Sequence, residues 1–174
     1  MERLSRIVGP VATNVHILAD ARTREAIAID TATPSLAWIA EELAARDWTL
    51  KLIVSTHGHW DHIGDNAALA AHTGADIAVH ALDRDRLEHP QPLWAPFEIV
   101  PSVAAVDLAE NGVIRFGELR LRVLHTPGIR RARSACWPRT LACSSAATPC
   151  SPAAGVGSTC RAATRRPWSD RSPD

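Results

Sequence analysis

The regular pattern of apolar and polar residues stops at Gly128, and this break most limits what the chain can fold into. Residues 1–128 show the periods of strands and helices throughout. Residues 129–174 show neither period, and their branched aliphatic residues are only Ile129, Leu141 and Val156. We therefore predict one domain over 1–128 and a disordered, aberrant tail over 129–174, rich in Arg, Ala, Ser, Pro and Cys.

The distribution of charge divides the chain at the same place. Residues 1–128 hold 10 Arg, 1 Lys and 17 acidic residues, a balance of −6, whereas residues 129–174 hold 8 Arg and 2 acids, a balance of +6. All eight histidines precede the break and all four cysteines follow it. The cysteine spacing matches no metal knuckle or disulfide framework. The division indicates two different origins for the two parts.

Strands and helices alternate in the first part. The pattern predicts a first helix that begins with Thr33 as N-cap and Pro34 at the first helical position. A second helix is predicted over 66–73, with Gly74 at its end. The prolines of 89–101 indicate a loop. Strands are predicted over 11–20, 25–30, 50–56, 76–80, 113–116 and 119–125.

The segment STHGHWDHIG (55–64) places three histidines and an aspartate within six residues, directly after an apolar strand. Histidines at positions i and i+2 of a strand end point to one side, and the next two polar residues stand where a helix would begin. Imidazole nitrogens and carboxylate oxygens are typical ligands of catalytic zinc. A single histidine would more often be structural, but this spacing favours a metal site.

The segment THGHWDH resembles the HxHxDH motif of the metallo-β-lactamase superfamily. The surrounding order is also similar, with paired strands ending in AID, a helix, the strand LKLIVST and a later segment FGELRLRVLHTPG. The resemblance covers about 6–128 and is closest to glyoxalase II-like (hydroxyacylglutathione hydrolase-like) thioester hydrolases. It implies an α/β (α+β) fold, the N-terminal half of a four-layer αββα sandwich, and hydrolase activity.

The resemblance also implies roles for single residues. His57 and His59 would bind a first metal, and Asp61 and His62 would bind a second. The expected metal is zinc, with two ions in the intact family, although iron and manganese are alternatives. Two such ions lower the pKa of a shared water, and Asp61 would act in catalysis by orienting that water.

The remaining ligands of the family pattern are missing from this chain. The family continues with a histidine in a Pro-Gly-His turn, but Ile129 follows Pro127 and Gly128 here. No histidine occurs after His125. In the family pattern His125 precedes the turn, so we expect it to have a structural role and not to replace the absent ligand.

A shift in codon register offers an explanation for the missing ligands. Shifted codons across residues 128–133 permit His-Ser-Pro-Gly-Ser, those across 145–149 permit Ser-Gly-Asp-Thr, and those across 159–165 permit Leu-Pro-Gly-Gly-Asp-Glu. These match the family's third histidine, its Gly-Asp pair and a segment familiar from its relatives, in the right order. We therefore interpret residues 129–174 as a frameshifted C-terminal half, which makes the chain a truncated enzyme with impaired activity.

Three functions are compatible with this sequence. They are a zinc-dependent hydrolase of small thioesters such as hydroxyacylglutathione, a family member of other chemistry (sulfur dioxygenase, lactonase or phosphodiesterase), and a non-catalytic metal-binding remnant. We expect a small-molecule substrate and no nucleic acid, because the acidic first part would repel phosphates. No membrane segment or signal peptide is evident, so we expect a cytoplasmic protein.

Overall fold

The computed structural model describes residues 1–91 and 95–126, together with the backbone of 134–138. Its helices are α1 (Leu36–Arg46), α2 (Trp60–Ile63), α3 (Asn66–Thr73) and α4 (Arg84–Glu88), and a 3-10 turn (Ala81–Asp83) precedes α4. Its strands are β1 (Glu2–Val8), β2 (Thr13–Asp20), β3 (Glu25–Ile29), β4 (Thr49–Val54), β5 (Asp76–His80), β6 (Val106–Leu108), β7 (Val113–Phe116), β8 (Leu119–His125) and β9 (Ser134–Pro138).

The strands form two sheets. The first has six strands in the order β1-β2-β3-β4-β5-β6, and the second has three in the order β7-β8-β9. Strands β1 to β3 pair antiparallel, while β3, β4, β5 and β6 pair parallel. The carboxyl ends of four parallel strands therefore lie along one edge of the first sheet, where α/β proteins commonly bind their ligands.

Helices cover one face of the first sheet and the second sheet covers the other. Ile53 and Val54, adjacent on β4, are both fully buried. Ile53 packs in the core between sheet and helices, with Ile39 of α1 and Leu69 of α3. Val54 packs in the core between the two sheets, with Phe116. Because successive strand residues point to opposite faces, a strand covered on both sides is apolar throughout.

These three layers, helix, sheet and sheet, confirm the predicted α/β class and the first half of an αββα sandwich. The predicted strands and the helix over 66–73 are present, with small differences at their ends. The start of α1 was predicted wrongly, since Ser35 and not Thr33 is its N-cap. The reason is a distant residue: the carboxylate of Asp65 accepts hydrogen bonds from the backbone N–H groups of Ser35 (2.6 Å) and Leu36 (2.8 Å).

Several elements were not predicted, and β9 is the most informative. It lies in the segment expected to have no regular structure, yet its backbone pairs antiparallel with β8 from Leu121↔Pro138 to His125↔Ser134. Pairing at a sheet edge uses backbone N–H and C=O groups, so it does not need an apolar period. The rest of the predicted tail, 129–133 and 139–174, lies outside the described residues, and its proposed frameshift and disorder remain predictions.

The compact unit that contains the described residues runs from Met1 to Thr140. It extends beyond the boundary at Gly128 that the sequence pattern predicted. The unit extends past Gly128 because it includes β9, which adds one strand to the second sheet. That the aberrant, frameshifted sequence begins after Gly128 stays a prediction.

The outer face of the second sheet carries arginines. On β8, Leu121 and Val123 are buried against the first sheet, while Arg120 is exposed on the opposite side. Arg120 lies directly across from Arg115 of β7, and both are exposed. The side of this sheet that faces away from the core is therefore polar and positively charged at this pair.

A turn contact joins the two sheets. The carboxylate of Asp20, at the end of β2, accepts a hydrogen bond from the backbone N–H of Glu118 at 2.7 Å, in the turn between β7 and β8. This bond is the main reason why the pKa of Asp20 lies below its usual value. Gly117 has φ of +55°, and a Cβ there would lie 2.1 Å from Oγ1 of Thr23. Only glycine allows the two turns to approach so closely.

Replacing Gly117 with alanine should lower the free energy of unfolding by about 2–4 kcal/mol, because left-handed strain adds to the collision with Thr23. Gly74→Ala is the matched control, since Gly74 has φ of +72° but a Cβ added there would meet nothing within 4 Å. That variant should lose only about 1–2 kcal/mol. Urea unfolding measures both, and equal losses would show that the collision with Thr23 adds nothing to the cost of the left-handed backbone.

Candidate metal centre

The candidate site lies where parallel strands β3, β4 and β5 end. Asp30 follows β3, the segment 55–64 follows β4, and the 3-10 turn that ends at Asp83 follows β5. Backbone hydrogen bonds hold these ends together, from Asp30 N to Val54 O (2.9 Å) and from Ser55 N to Ala78 O (2.8 Å). The polar residues that follow the strands are therefore brought to one place by the sheet itself.

His57 and His59 face each other with their ring nitrogens. Nε2 of His57 lies 2.8 Å from Nδ1 of His59, and the ring centroids are 4.6 Å apart. His57 is buried, with 3% of its surface exposed, whereas His59 is partly exposed. The two residues predicted as ligands of one metal are thus adjacent in the structure, and their donor atoms converge.

Asp61 and His62 form a second pair beside the first. Oδ2 of Asp61 lies 3.2 Å from Nε2 of His62 and accepts a hydrogen bond from the hydroxyl of Thr13 at 3.0 Å. The ring of His62 lies 4.1 Å from that of His57, centroid to centroid. All four residues that the sequence predicted as ligands are therefore in one cluster.

Asp30 supports both pairs, and sequence reasoning did not identify it as a functional residue. Its carboxylate accepts hydrogen bonds from the backbone N–H (2.8 Å) and the hydroxyl (2.9 Å) of Thr56. Its Oδ2 also lies 2.9 Å from Nδ1 of His62. Asp30 is buried and has φ of +56°. The sequence signal that could have identified Asp30 is its place at the end of the apolar strand next to β4.

The Thr56 hydroxyl determines which nitrogen of His57 can act as a ligand. Because this hydroxyl donates to Asp30, it accepts from Nδ1 of His57, which is 3.0 Å away. The lone pair of the neutral ring is then on Nε2, the atom that faces His59. A hydrogen bond to one imidazole nitrogen commonly fixes the other as the metal ligand in this way.

Burial keeps His57 neutral. It lowers the pKa of His57 from the usual 6.5 to about 4, and the nearby charge of His62 acts in the same direction. The carboxylates of Asp30 and Asp61 oppose this shift without reversing it. Since a metal binds only the unprotonated ring, His57 is ready to bind a cation at neutral pH without first releasing a proton.

The helix after the motif is tied to neighbouring loops by buried polar residues. Asn66 donates to the hydroxyl of Ser55 at 2.9 Å and accepts from that of Thr31 at 2.6 Å. All three residues are fully buried. These bonds fix the start of α3 relative to the end of β4, so the segment between them, which carries the candidate ligands, has both ends held.

The donor atoms suit a metal ion in kind, but among the described residues their arrangement does not complete a site. Two imidazole nitrogens and a carboxylate–imidazole pair are ligands that zinc accepts. However, no group of three or more His, Cys, Asp or Glu side chains has the geometry to hold an ion within residues 1–91 and 95–126. Ile129, at the family's third histidine position, lies outside the described residues. His125 stacks on His80, with ring centroids 4.6 Å apart.

The shifted pKa of His57 predicts how the metal-free protein responds to acid. In the unfolded chain this histidine gains its proton near pH 6.5, but in the folded protein only near pH 4. Stability that is fully present above pH 6.5 should therefore fall as the pH is lowered from 6.5 towards 4. Urea midpoints at pH 7.5 and 4.5, in the presence of a chelator, should decrease less for His57→Gln than for the unmodified chain.

His72→Gln serves as the control for that measurement, because His72 is an exposed histidine on α3. Its urea midpoints should decrease with acid as much as those of the unmodified chain. If His57→Gln shows the same pH dependence as the unmodified chain, His57 is not the buried neutral group described above.

Comparison with known proteins gives a consistent result. The sequence model that describes the metallo-beta-lactamase superfamily matches residues 8–134 of this chain. A hydroxyacylglutathione hydrolase-like protein of Mus musculus is 36% identical over 124 residues, covering 66% of this chain and 34% of the mouse protein. An uncharacterized protein of Aquifex aeolicus is 34% identical over 128 residues, covering 70% of this chain and 57% of that protein.

A solved structure has the same fold. The BLEG-1 B3 metallo-beta-lactamase superimposes with a TM-score of 0.70 at 25% identity, covering 79% of this chain and 67% of that one. The chain spans only 57% and 34% of the two relatives from Aquifex and mouse. The family match, the fold and the clustered motif agree, and the chain belongs to the metallo-β-lactamase superfamily.

Proposed function

We propose that this chain derives from a zinc-dependent hydrolase of small thioesters such as hydroxyacylglutathione, and that in its present form it has little or no activity. The convergence of His57, His59, Asp61 and His62 at the carboxyl ends of parallel strands is the observation that carries this proposal. The thioester class is suggested by the mouse relative, whose name is hydroxyacylglutathione hydrolase-like protein.

The four clustered residues would bind two metal ions, two residues to each ion. His57 and His59 would hold one ion, and Asp61 and His62 would hold the other. Zinc at such a site would supply a water of lowered pKa as the nucleophile near neutral pH and would polarise the substrate carbonyl. Asp61 would orient this water, and the hydroxyl of Thr13 would fix the Asp61 carboxylate through its 3.0 Å hydrogen bond.

The same geometry explains why activity should be low. Catalytic zinc sites normally use three protein ligands and a water, whereas each pair described here provides two. In the present chain Ile129 occupies the position of the third histidine. With one ligand fewer, zinc would bind more weakly and with less defined geometry, so the water would be poorly activated.

A non-catalytic role is the second candidate, and the incomplete ligand geometry among the described residues favours it over the other chemistries of the family. As a metal-binding remnant, the chain would keep the folded first half and the four donors but would not turn over a substrate. Sulfur dioxygenase, lactonase and phosphodiesterase chemistry use the same motif, and metal content after purification would separate the iron-dependent member from the others.

Charge and hydropathy support a proposal about the type of partner and the cellular location. We propose a small-molecule substrate and no nucleic acid, because the balance of −6 over 1–128 opposes binding to phosphate backbones. Across the part of the chain that the structure describes, no helix combines the length and the apolar character needed to cross a bilayer. A cytoplasmic location without membrane attachment is part of the same proposal.

Hydrolysis by the present chain and by its frame-restored form tests the proposal directly. A gene that reads His-Ser-Pro-Gly after Gly128 should yield a protein that hydrolyses hydroxyacylglutathione and loses this activity with a chelator. The chain as it stands should give no turnover above the buffer blank. Normal turnover by the present chain would contradict the proposed impairment, and an inactive frame-restored protein would contradict the thioester assignment.

Zinc binding should depend on the clustered histidines even in the present chain. Titration against a chromophoric chelator should show weak zinc binding, and His59→Ala should remove the part that belongs to the first position, because it takes away one of the two ligands there. His72→Ala should bind zinc like the unmodified chain, since His72 is exposed on α3. Unchanged zinc binding in His59→Ala would indicate that zinc binds elsewhere.

A further inference from the structure

The peptide between the two first candidate ligands is held by a residue outside the motif. The backbone N–H of Gly58, between His57 and His59, donates a hydrogen bond of 2.9 Å to Oδ2 of Asp83. Gly58 is buried, and Asp83 is only 4% exposed. A buried carboxylate is costly unless it is hydrogen-bonded, and a bond to a charged acceptor is stronger than one between neutral groups.

Asp83 has a fixed position because the helix that follows it is anchored. Leu87 of α4 is fully buried in the core between the first sheet and the helices. Arg84 donates to the carbonyl of Ala104 and, at 2.6 Å, to the carboxylate of Asp107. The start of α4, directly after Asp83, is therefore held by the protein core through Leu87 and by the β6 region through Arg84.

The motif loop lies directly against this helix, because residue 58 has no side chain. A Cβ at Gly58 would lie 2.4 Å from Cβ of Arg86 and 3.3 Å from the carbonyl oxygen of Asp83. Contacts of 2.4 Å between carbon atoms do not occur without displacement. The glycine in the motif thus allows the close approach that the hydrogen bond from its N–H to Asp83 requires.

We propose that Asp83 is a positioning residue for the candidate metal centre. By fixing the Gly58 N–H, it sets the orientation of the peptide from which the imidazoles of His57 and His59 project. Loss of this bond allows the peptide to rotate, and the two ring nitrogens then no longer converge. The inference rests on the proposed metal-binding function and adds a residue that lies about twenty positions beyond the motif.

Three variants of the full chain test this role. Asp83→Ala removes the acceptor, and Asp83→Asn keeps an oxygen in the same place without the charge. Asp85→Ala is the matched control, because it removes an acid from the following helix whose side chain is 80% exposed and contacts His89 at the surface. The measurements are the chemical shift and hydrogen exchange of the Gly58 amide, and zinc affinity by chelator competition.

The expected result is specific to the bond. In Asp83→Ala the Gly58 amide should lose protection, and zinc affinity should fall by about tenfold or more, as for other residues that orient metal ligands. Asp83→Asn should keep most of the protection and affinity, with an upfield shift of the Gly58 amide proton. Asp85→Ala should match the unmodified chain. An unchanged Gly58 amide in a folded Asp83→Ala, or equal affinity losses at positions 83 and 85, would overturn the inference.

The design also separates this inference from the proposed function. If Asp83→Ala does not fold, the Gly58 amide shift of Asp83→Asn decides, and no shift in that variant overturns the role of Asp83. If the unmodified chain binds no zinc, the proposed function fails. The Gly58 amide and the ring signals of His57 and His59 would then still show, without metal, whether Asp83 orients this peptide.

Discussion

The buried carboxylate of Asp30 is the interaction on which the site depends. It lies at the junction of β3, β4 and α2, where it accepts from Thr56 and contacts His62. A charge at this depth is tolerated only because donors surround it. Those donors belong to the segment that carries the candidate ligands, so the stability of the sheet edge and the orientation of the ligands have a common origin.

Much of the fold could be predicted because the central strands are covered on both faces. Ile53 and Val54 are apolar for that reason, and continuous apolar runs are easily recognised in a sequence. The edge strands β1 and β6 were missed because six of the seven β1 residues are exposed or half-buried and β6 has only three residues. The start of α1 depends on Asp65, about thirty residues away, which no local pattern can reveal.

The candidate site, like the fold, could be predicted only in part from the sequence. His57, His59, Asp61 and His62 are close in sequence, so their spacing alone predicted that they would converge. Asp30, Thr13 and Asp83 reach the cluster from other elements, through sheet pairing and helix packing. Only Asp30, at the end of an apolar strand, carried a local signal, and the neighbourhoods of Thr13 and Asp83 do not distinguish them from ordinary polar residues. A local motif identifies the candidate ligands, whereas most of the residues that hold them can be found only from the tertiary structure.

The arginine pair on the second sheet affects how copies of the chain behave in solution. Arg115 and Arg120 lie opposite each other on exposed positions of β7 and β8. Like charges that face each other weaken a strand pair slightly, but they also repel an identical surface. Two copies that approach through these faces bring four guanidinium groups together. The pair therefore places a repulsive charge on this part of the second sheet against a second copy that presents the same face.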